Sequence, residues 1–278
     1  ILVTKIQTKY HFPLASELTD KGIRNFTNDL EGKEIYIDKI ALEDLVNFQK
    51  VEYQFIQGYY YNEGHNNKIN EVMTKLFQNR KRYKKEKNDI QMVFKELMNS
   101  SYGKSCLKPI DTDFIYKNEK DLDKYVDRYF NYIKEYTRVA DSNMFKIKTD
   151  KAILKHFNNV HIGVEILSMS KRIMNEVMTL AEDLKIDMTY QDTDSIHMPL
   201  KDVPLLEEKF KEKYNRNLAG DNTGEFHVDF DMDGIKKDAE IKSIKSIFLG
   251  KKCYIDKLQS INDKDEIIYD YHIRMKGV

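Results

Sequence analysis

Residues 190–197 read YQDTDSIH, two aspartates one residue apart with a tyrosine before them and a serine after. Met188, Tyr190, Asp192, Asp194, Ile196 and Met198 fall at alternate positions, and a strand would turn all six to one face. The pattern predicts two short apolar arms joined by a tight turn with Thr193 at the bend. Two carboxylates on such a tip repel one another unless a cation sits between them. Hard divalent ions take oxygen ligands, and Mg²⁺ is commonly held by one or two carboxylates plus substrate phosphates. The chemistry suggested is one wall of a two-metal phosphoryl-transfer site. The plainer alternative is a solvated Asp-rich turn, since D-x-D by itself is a common pattern. His197 follows the turn, and alternation assigns it to the face opposite the aspartates, where it would pack rather than ligate.

A second group of residues suits phosphate. From Lys75 to Lys108 the chain carries ten basic and three acidic side chains, a local charge of +7 in a chain with 46 Lys and Arg against 46 Asp and Glu. The overall balance does not argue for a nucleic-acid binder, so the case rests on this patterning. Arg80 and Lys84 are neighbours on one helix face. Gln91, Lys95, Asn99 and Tyr102 form a stripe on the next helix. Two such helices could aim Arg80, Lys84 and Lys95 at a polyphosphate, with the Tyr102 ring offered to a base or sugar. Lys81, Arg82, Lys85 and Lys87 are assigned to a solvated face or to loose contact with nucleic-acid backbone.

These residues need elements to hold them. Residues 68–87 read as a helix with Ile69, Val72, Met73, Leu76 and Phe77 at core spacing, broken at Asn88-Asp89. A second helix follows, with Ile90, Val93, Phe94, Leu97 and Met98 on one face, and the short break predicts an antiparallel hairpin. GKEIYIDKI predicts a strand, followed by a short helix from about Leu42. Residues 107–160 read as polar, Tyr-rich and irregular, with a helix at 120–136. Residues 164–185 predict a long helix with the stripe Ile166, Met169, Ile173, Val177, Leu180 and Leu184. Strands are expected at 186–191, 195–199, 225–230, 242–248, 252–257 and 267–275. Helices and strands without regular βαβ alternation indicate an α+β fold.

The 278 residues are enough for one large domain or two modest ones, and 41% hydrophobic residues allow a core. Cys106 and Cys253 make no disulfide framework, which predicts a reducing compartment. No apolar run reaches the length of a membrane span, and no signal peptide is visible. The opening Ile1 and the closing RMKGV suggest a piece of a longer protein.

KELMNSSYG, Lys95 to Gly103, resembles the K-x-x-x-N-S-x-Y-G motif of family B DNA polymerases. YQDTDS resembles their Y-x-D-T-D-S motif, and KCY, Lys252 to Tyr254, their K-x-Y motif. The three stand in the family's order and cover most of the chain. ALEDLVNFQKVEYQFIQGYYY and HIGVEILSMSKRIMNEVM look like the protein-primed branch of phages, eukaryotic viruses and linear plasmids.

The resemblance implies a polymerase palm, an antiparallel sheet with packed helices, plus an α-helical hairpin as the fingers. It implies an insertion at 1–60, fingers at 61–103, a second insertion with connection at 104–160, and palm at 161–278. The second insertion is linked in the family to strand displacement and processivity. Asp192 and Asp194 would bind two Mg²⁺ ions, or Mn²⁺, with Asp192 the less directly engaged in some members. Lys95 would neutralise the triphosphate of a deoxynucleotide, helped by Arg80 and Lys84. Asn99 and Tyr102 would line the nucleotide pocket, and Gly103 would allow close backbone approach. Tyr190 would support the metal turn, Ser195 would be secondary, and Lys252 and Tyr254 would hold the primer terminus. The implied partners are DNA template-primer, deoxynucleoside triphosphates and a terminal protein, with no membrane. The implied location is inside the cell, at a site of viral or plasmid replication.

One departure is serious. The family's D-x-x-S-L-Y-P motif, which supplies the other metal-binding aspartate, is not found in this sequence, and nor are the exonuclease and thumb. The chain by itself is therefore expected to show little or no polymerase activity. Two other readings stand beside this one. One is a non-catalytic polymerase-like module that binds DNA or protein. The other is a calcium loop at 229–240, DFDMDGIKKDAE, with Asp229, Asp231, Asp233 and Glu240 as ligands and Gly234 at the turn. Lys236 at the loop's eighth position and strand-like flanks argue against the loop, and it is read as an acidic turn between strands. A reverse transcriptase would also present paired aspartates, but Lys95–Gly103 lies before them on a helix. The run Tyr59-Tyr60-Tyr61 could stack on single-stranded nucleic acid or pack as an aromatic loop.

Overall fold

The computed structural model describes residues 1–60, 67–108, 110–151 and 159–276. In chain order the elements are β1 (Leu2–Ile6), β2 (Ser16–Leu18), β3 (Arg24–Phe26), α1 (Lys39–Gln49), β4 (Val51–Gln54), α2 (Asn67–Lys85), α3 (Ile90–Cys106), β5 (Thr112–Asn118), α4 (Glu119–Tyr129), β6 (Ile133–Arg138), β7 (Met144–Asp150), α5 (Val160–Asp183), β8 (Tyr190–Asp192), β9 (Ser195–His197), α6 (Val203–Tyr214), β10 (Lys242–Gly250), β11 (Cys253–Ile261) and β12 (Ile267–Met275). The named strands pair antiparallel throughout, so the α+β expectation holds. Two units form, one from residues 1–57 with 168–278 and the other from residues 58–167.

In the first unit, β1 pairs with β4, and Val3, Ile6, Leu30, Leu45 and Val51 close into a buried cluster. The strand expected in GKEIYIDKI does not form. Glu34 makes one bridge to Leu2, and Ile35 and Ile37 spend their apolar side chains on the cluster instead. The helix expected from Leu42 starts at Lys39, because the Asp38 carboxylate accepts from the Ile40 and Ala41 N–H groups at 3.0 and 3.1 Å. Such a cap is worth about 1 kcal/mol.

Polar contacts bind α1 to α5. Asp44, 3% exposed, accepts from Arg172 Nε at 2.6 Å and from Asn175 at 2.9 Å. Arg172 also donates to Glu43 and to the Ile40 carbonyl, and the Ser168 hydroxyl donates to Asp38. The α5 stripe is only partly as expected. Val177 and Leu180 are buried, but Ile166 and Met169 are exposed. Burial concentrates at Met174 and Val177–Ala181, where Val177, Leu180 and Ala181 meet Leu206 and Phe210 of α6, with Ile186 and Leu218. Met188, Ile196 and Met198 pack on this cluster, so the arms of the DTD hairpin rest on a helical core.

Farther along, β10, β11 and β12 form a three-stranded meander. Tyr254, Asp256, Leu258 and Ser260 of β11 point to the buried side. The strand expected at 225–230 is absent, because Phe226 makes a single bridge to Ala219 and the following residues find no partner strand. The 186–191 and 195–199 strands shrink to β8 and β9, and 252–257 extends to Ile261 as β11.

In the second unit, α2 and α3 form the expected hairpin. Tyr83 stacks on Phe94 with ring centroids 5.6 Å apart, and Asn88 turns the chain by donating to the Tyr83 carbonyl. The expected burial fails, since no residue of either helix is buried and Ile69, Val72, Ile90, Val93 and Leu97 stay about half exposed. Periodicity marks an apolar face but does not supply the surface that covers it. At the end of α3, a Cβ at Gly163 would meet Cys106 Sγ, so any side chain there would make the thiol shift.

Residues 107–160 correct the expectation of irregular chain. β5, β7 and β6 form an antiparallel sheet, and α4, capped by Asn118, ends at Tyr129 rather than 136. The reason is visible in MFKIKTD, which buries Ile147 and Thr149 while the alternate lysines stay half-buried. Lysine-rich alternation looked like loop composition and was a strand.

Candidate functional site

β8 and β9 pair Tyr190 with His197, Gln191 with Ile196 and Asp192 with Ser195, leaving Thr193 and Asp194 as a two-residue turn. Thr193 adopts φ 57°, a left-handed conformation that a β-branched residue rarely takes. Asp194 N–H donates to the Asp192 carbonyl at 2.7 Å, and the Ser195 and Thr193 hydroxyls donate to Asp192 as well. The predicted bend at Thr193 is present, but the predicted facing is corrected. Alternation does not run through a two-residue turn, because pairing across the hairpin sets the faces. Asp192 and Tyr190 share a face with Ser195 and His197, Ile196 is on the other side, and Asp194 projects from the turn. His197 therefore lies on the aspartate face, its ring 5.6 Å from that of Tyr190.

The second motif meets the first. Lys252 sits in the turn between β10 and β11 at φ 58°, and its ammonium donates to both oxygens of Asp192, at 2.7 and 2.8 Å. Its backbone N–H donates to the Tyr190 hydroxyl at 2.7 Å. The bond from Lys252, helped by the Thr193 hydroxyl and by Lys251, holds the Asp192 carboxyl below its ordinary range against the opposing effect of burial. Asp194 is exposed and makes no side-chain hydrogen bond or ion pair among the described residues.

Behind this pair stands an aromatic group. Tyr190 stacks on Phe248 at 5.0 Å, and Tyr254, only 8% exposed, lies 4.9 Å from Tyr190 and 5.2 Å from His197. Sequence reading missed Asp256, which is fully buried, accepts from Ser243 and Ser246, and lies 3.9 Å from His197 Nδ1. Its other oxygen has no partner among the described residues. The signal was available, because Asp256 is two residues beyond Tyr254 on the same strand face. Burial pushes the His197 pKa down, and Asp256 only partly opposes this.

Asp192 and Asp194 supply hard oxygen donors, and Asp192 already draws a cation in the form of the Lys252 ammonium. This donor chemistry fits Mg²⁺ or Mn²⁺, with two carboxylates as the protein's share of the ligands. Among the described residues no three His, Cys, Asp or Glu side chains gather into a metal cluster. The 229–240 loop has no flanking helix. It turns at Gly234 and again at Asp238, buries Met232, and pairs Lys236 with Asp265 at 2.6 Å.

The remaining predicted residues lie in the second unit. Arg80 and Lys84 are on α2, and Lys95, Asn99, Tyr102 and Gly103 are on α3. No ion pair among the described residues engages Arg80, Lys84 or Lys95, whereas Arg82, assigned to the solvated face, pairs with Glu86 at 3.9 Å. Arg80 Nε is buried without a partner among the described residues. Burial, then a bond to Cys106, raises the Tyr102 hydroxyl pKa. A side chain at Gly103 would meet nothing within 4 Å. Tyr59 and Tyr60 are exposed, and Tyr61 is outside the described residues.

A cavity of about 570 Å³ in the first unit, lined among others by Tyr10, Asp44, Lys50, Arg172, Asp183 and Tyr214, contains none of the predicted site residues. Its charges are largely matched internally, with Tyr10 donating to Asp183 and its hydroxyl pKa pushed up to about 12, by burial first and by Asp183 second. Comparison with protein-family models, curated proteins and solved structures found no match to this chain.

Proposed function

We propose that the chain is the fingers and palm portion of a template-directed DNA polymerase resembling the protein-primed family B enzymes. The observation that carries the reading is the pairing of Lys252 with Asp192. Two short motifs that lie 60 residues apart form one ion pair, with Tyr190 bonded to the Lys252 backbone. A chance likeness of two tripeptide-scale patterns gives no reason for that meeting.

The reaction proposed is attack of a primer 3′-OH, or of a terminal-protein hydroxyl at initiation, on the α-phosphate of a deoxynucleotide, with pyrophosphate leaving. Bound divalent metal would lower the pKa of the nucleophile and stabilise charge on the leaving group. Asp192 and Asp194 are the residues to hold it. Lys252 supplies a point charge for primer phosphate, whereas Tyr254, expected with it at the primer terminus, is buried behind Tyr190 and keeps that turn in place. For the triphosphate, Lys95 with Arg80 and Lys84 supplies cations that have no ion-pair partner among the described residues, and Asn99 and Tyr102 supply the nucleotide contacts. Template-primer DNA, deoxynucleotides and a terminal protein are the proposed partners, at a site of viral or plasmid replication.

The test is equilibrium binding of a labelled primer–template and of a fluorescent deoxynucleotide in Mg²⁺. Nucleotide binding should need the metal and weaken about tenfold or more in Lys95→Ala, the scale of one lost charge-assisted contact. Binding indifferent to Mg²⁺, to Asp194→Asn and to Lys95→Ala would remove the proposal. A second reading, a non-catalytic polymerase-like binder, is favoured by one fact: the Lys252 ammonium takes both oxygens of Asp192. That reading predicts DNA binding with no metal dependence.

A further inference from the structure

We infer that Lys252 is an internal cation of the metal turn, exchanged for a divalent metal, so that metal binding at Asp192 sets the lysine free for phosphate. The inference rests on the polymerase reading and adds a coupling between two of its ligands. It starts from an asymmetry within one turn. Asp194 is exposed and makes no side-chain bond among the described residues, whereas both Asp192 oxygens are taken by one ammonium. A carboxylate cannot present both oxygens to a metal while it holds a lysine at 2.7 and 2.8 Å. The first divalent ion therefore meets an open Asp194 and a capped Asp192.

The surroundings allow the lysine side chain to leave without moving the backbone. The two side chains are 39% and 25% exposed, so water can solvate each as they part. Ion pairs this open to solvent are weak, and a divalent ion can outcompete them. The backbone on each side is anchored separately. The Lys252 N–H donates to the Tyr190 hydroxyl, the Lys252 carbonyl accepts from Lys276, and Tyr190 is stacked on Phe248. Only the four-carbon stem needs to swing. Once freed, the ammonium requires another anion, and a nucleic-acid phosphate supplies one. By linkage, phosphate binding at Lys252 must tighten metal at Asp192 by the same factor that metal tightens phosphate.

Mn²⁺ titration of the full chain without DNA, read by the electron paramagnetic resonance of free Mn²⁺, tests this. Lys252→Gln should tighten Mn²⁺ by about threefold to fivefold, the scale of losing one weak competing ion pair. The gain should vanish when Asp192→Asn is added. Lys252→Gly removes the same ammonium and suits the φ of 58°, so it decides the matter if the Gln variant does not fold. Damage to the turn would weaken binding, so a tightened affinity is not a structural side effect. If Mn²⁺ binding depends on Asp194 but is unchanged or weaker in both Lys252 variants, the exchange is wrong and the polymerase reading stands. If no variant binds Mn²⁺ through either aspartate, both fall.

Discussion

At the DTD turn Asp192 and Lys252 neutralise each other, while along the α2–α3 hairpin Arg80, Lys84 and Lys95 have no ionic partner among the described residues. The arms of the turn rest on a buried cluster, and the hairpin buries none of its residues. The contrast separates two ways of preparing a charged site. One turn is built in advance and holds its own counter-ion. The helical face leaves its charge unspent. Stability should therefore concentrate around the turn, and ligand dependence along the hairpin.

The sharpest way to break the comparison is to remove the cation that partners a buried carboxylate in the first unit. Arg172→Ala strands the Asp44 carboxylate and should cost about 3–5 kcal/mol in urea unfolding. Lys95→Ala in the hairpin should stay within about 0.5 kcal/mol. Equal costs would erase the distinction. Truncation of apolar residues should repeat it more gently. Leu206→Ala, in the cluster under the DTD arms, should cost about 2–5 kcal/mol by thermal unfolding, and Leu97→Ala, half exposed on α3, about 1 kcal/mol or less.

Thr193 offers a smaller test. Thr193→Gly should raise stability by about 0.5–1 kcal/mol, since glycine accepts φ 57° and the relief outweighs the greater freedom of the unfolded chain. A loss instead would show that the hydroxyl bond to Asp192, 3.0 Å long, outweighs the backbone strain.

The smallest effect is expected in pH dependence. Burial holds the His197 pKa below its ordinary value, with His272 adding to the lowering and Asp256 opposing it. The unfolded chain therefore takes up the proton first as pH falls. Stability from neutral His197 is full above about pH 7 and declines as pH drops below about 6.5, the ordinary histidine value. His197→Gln should flatten that part of the stability–pH curve in chemical denaturation, and an unchanged slope would place the titration elsewhere.

The site was legible where chemistry and spacing agree. D-T-D predicted a turn at Thr193, and the two helices of the hairpin were read from their apolar period. Facing was not legible, because a two-residue turn resets alternation and moved His197 onto the aspartate side. Asp256 was passed over because an aspartate in a strand ordinarily marks a solvent face, and only Ser243 and Ser246 make its burial tolerable. The β5–β7–β6 sheet was hidden because lysine at alternate positions has the composition of a loop.

By itself the sequence determined which residues could do chemistry, the order of the three motifs, and that two helices break at Asn88-Asp89, since periods and turn residues act within a few positions of one another. Only the tertiary structure decided that Lys252 meets Asp192, that α2 and α3 keep their apolar faces exposed, and that Tyr254 is buried behind Tyr190. Those outcomes depend on contacts between residues far apart in the chain, whose free energy is set by what each surface finds to pack against.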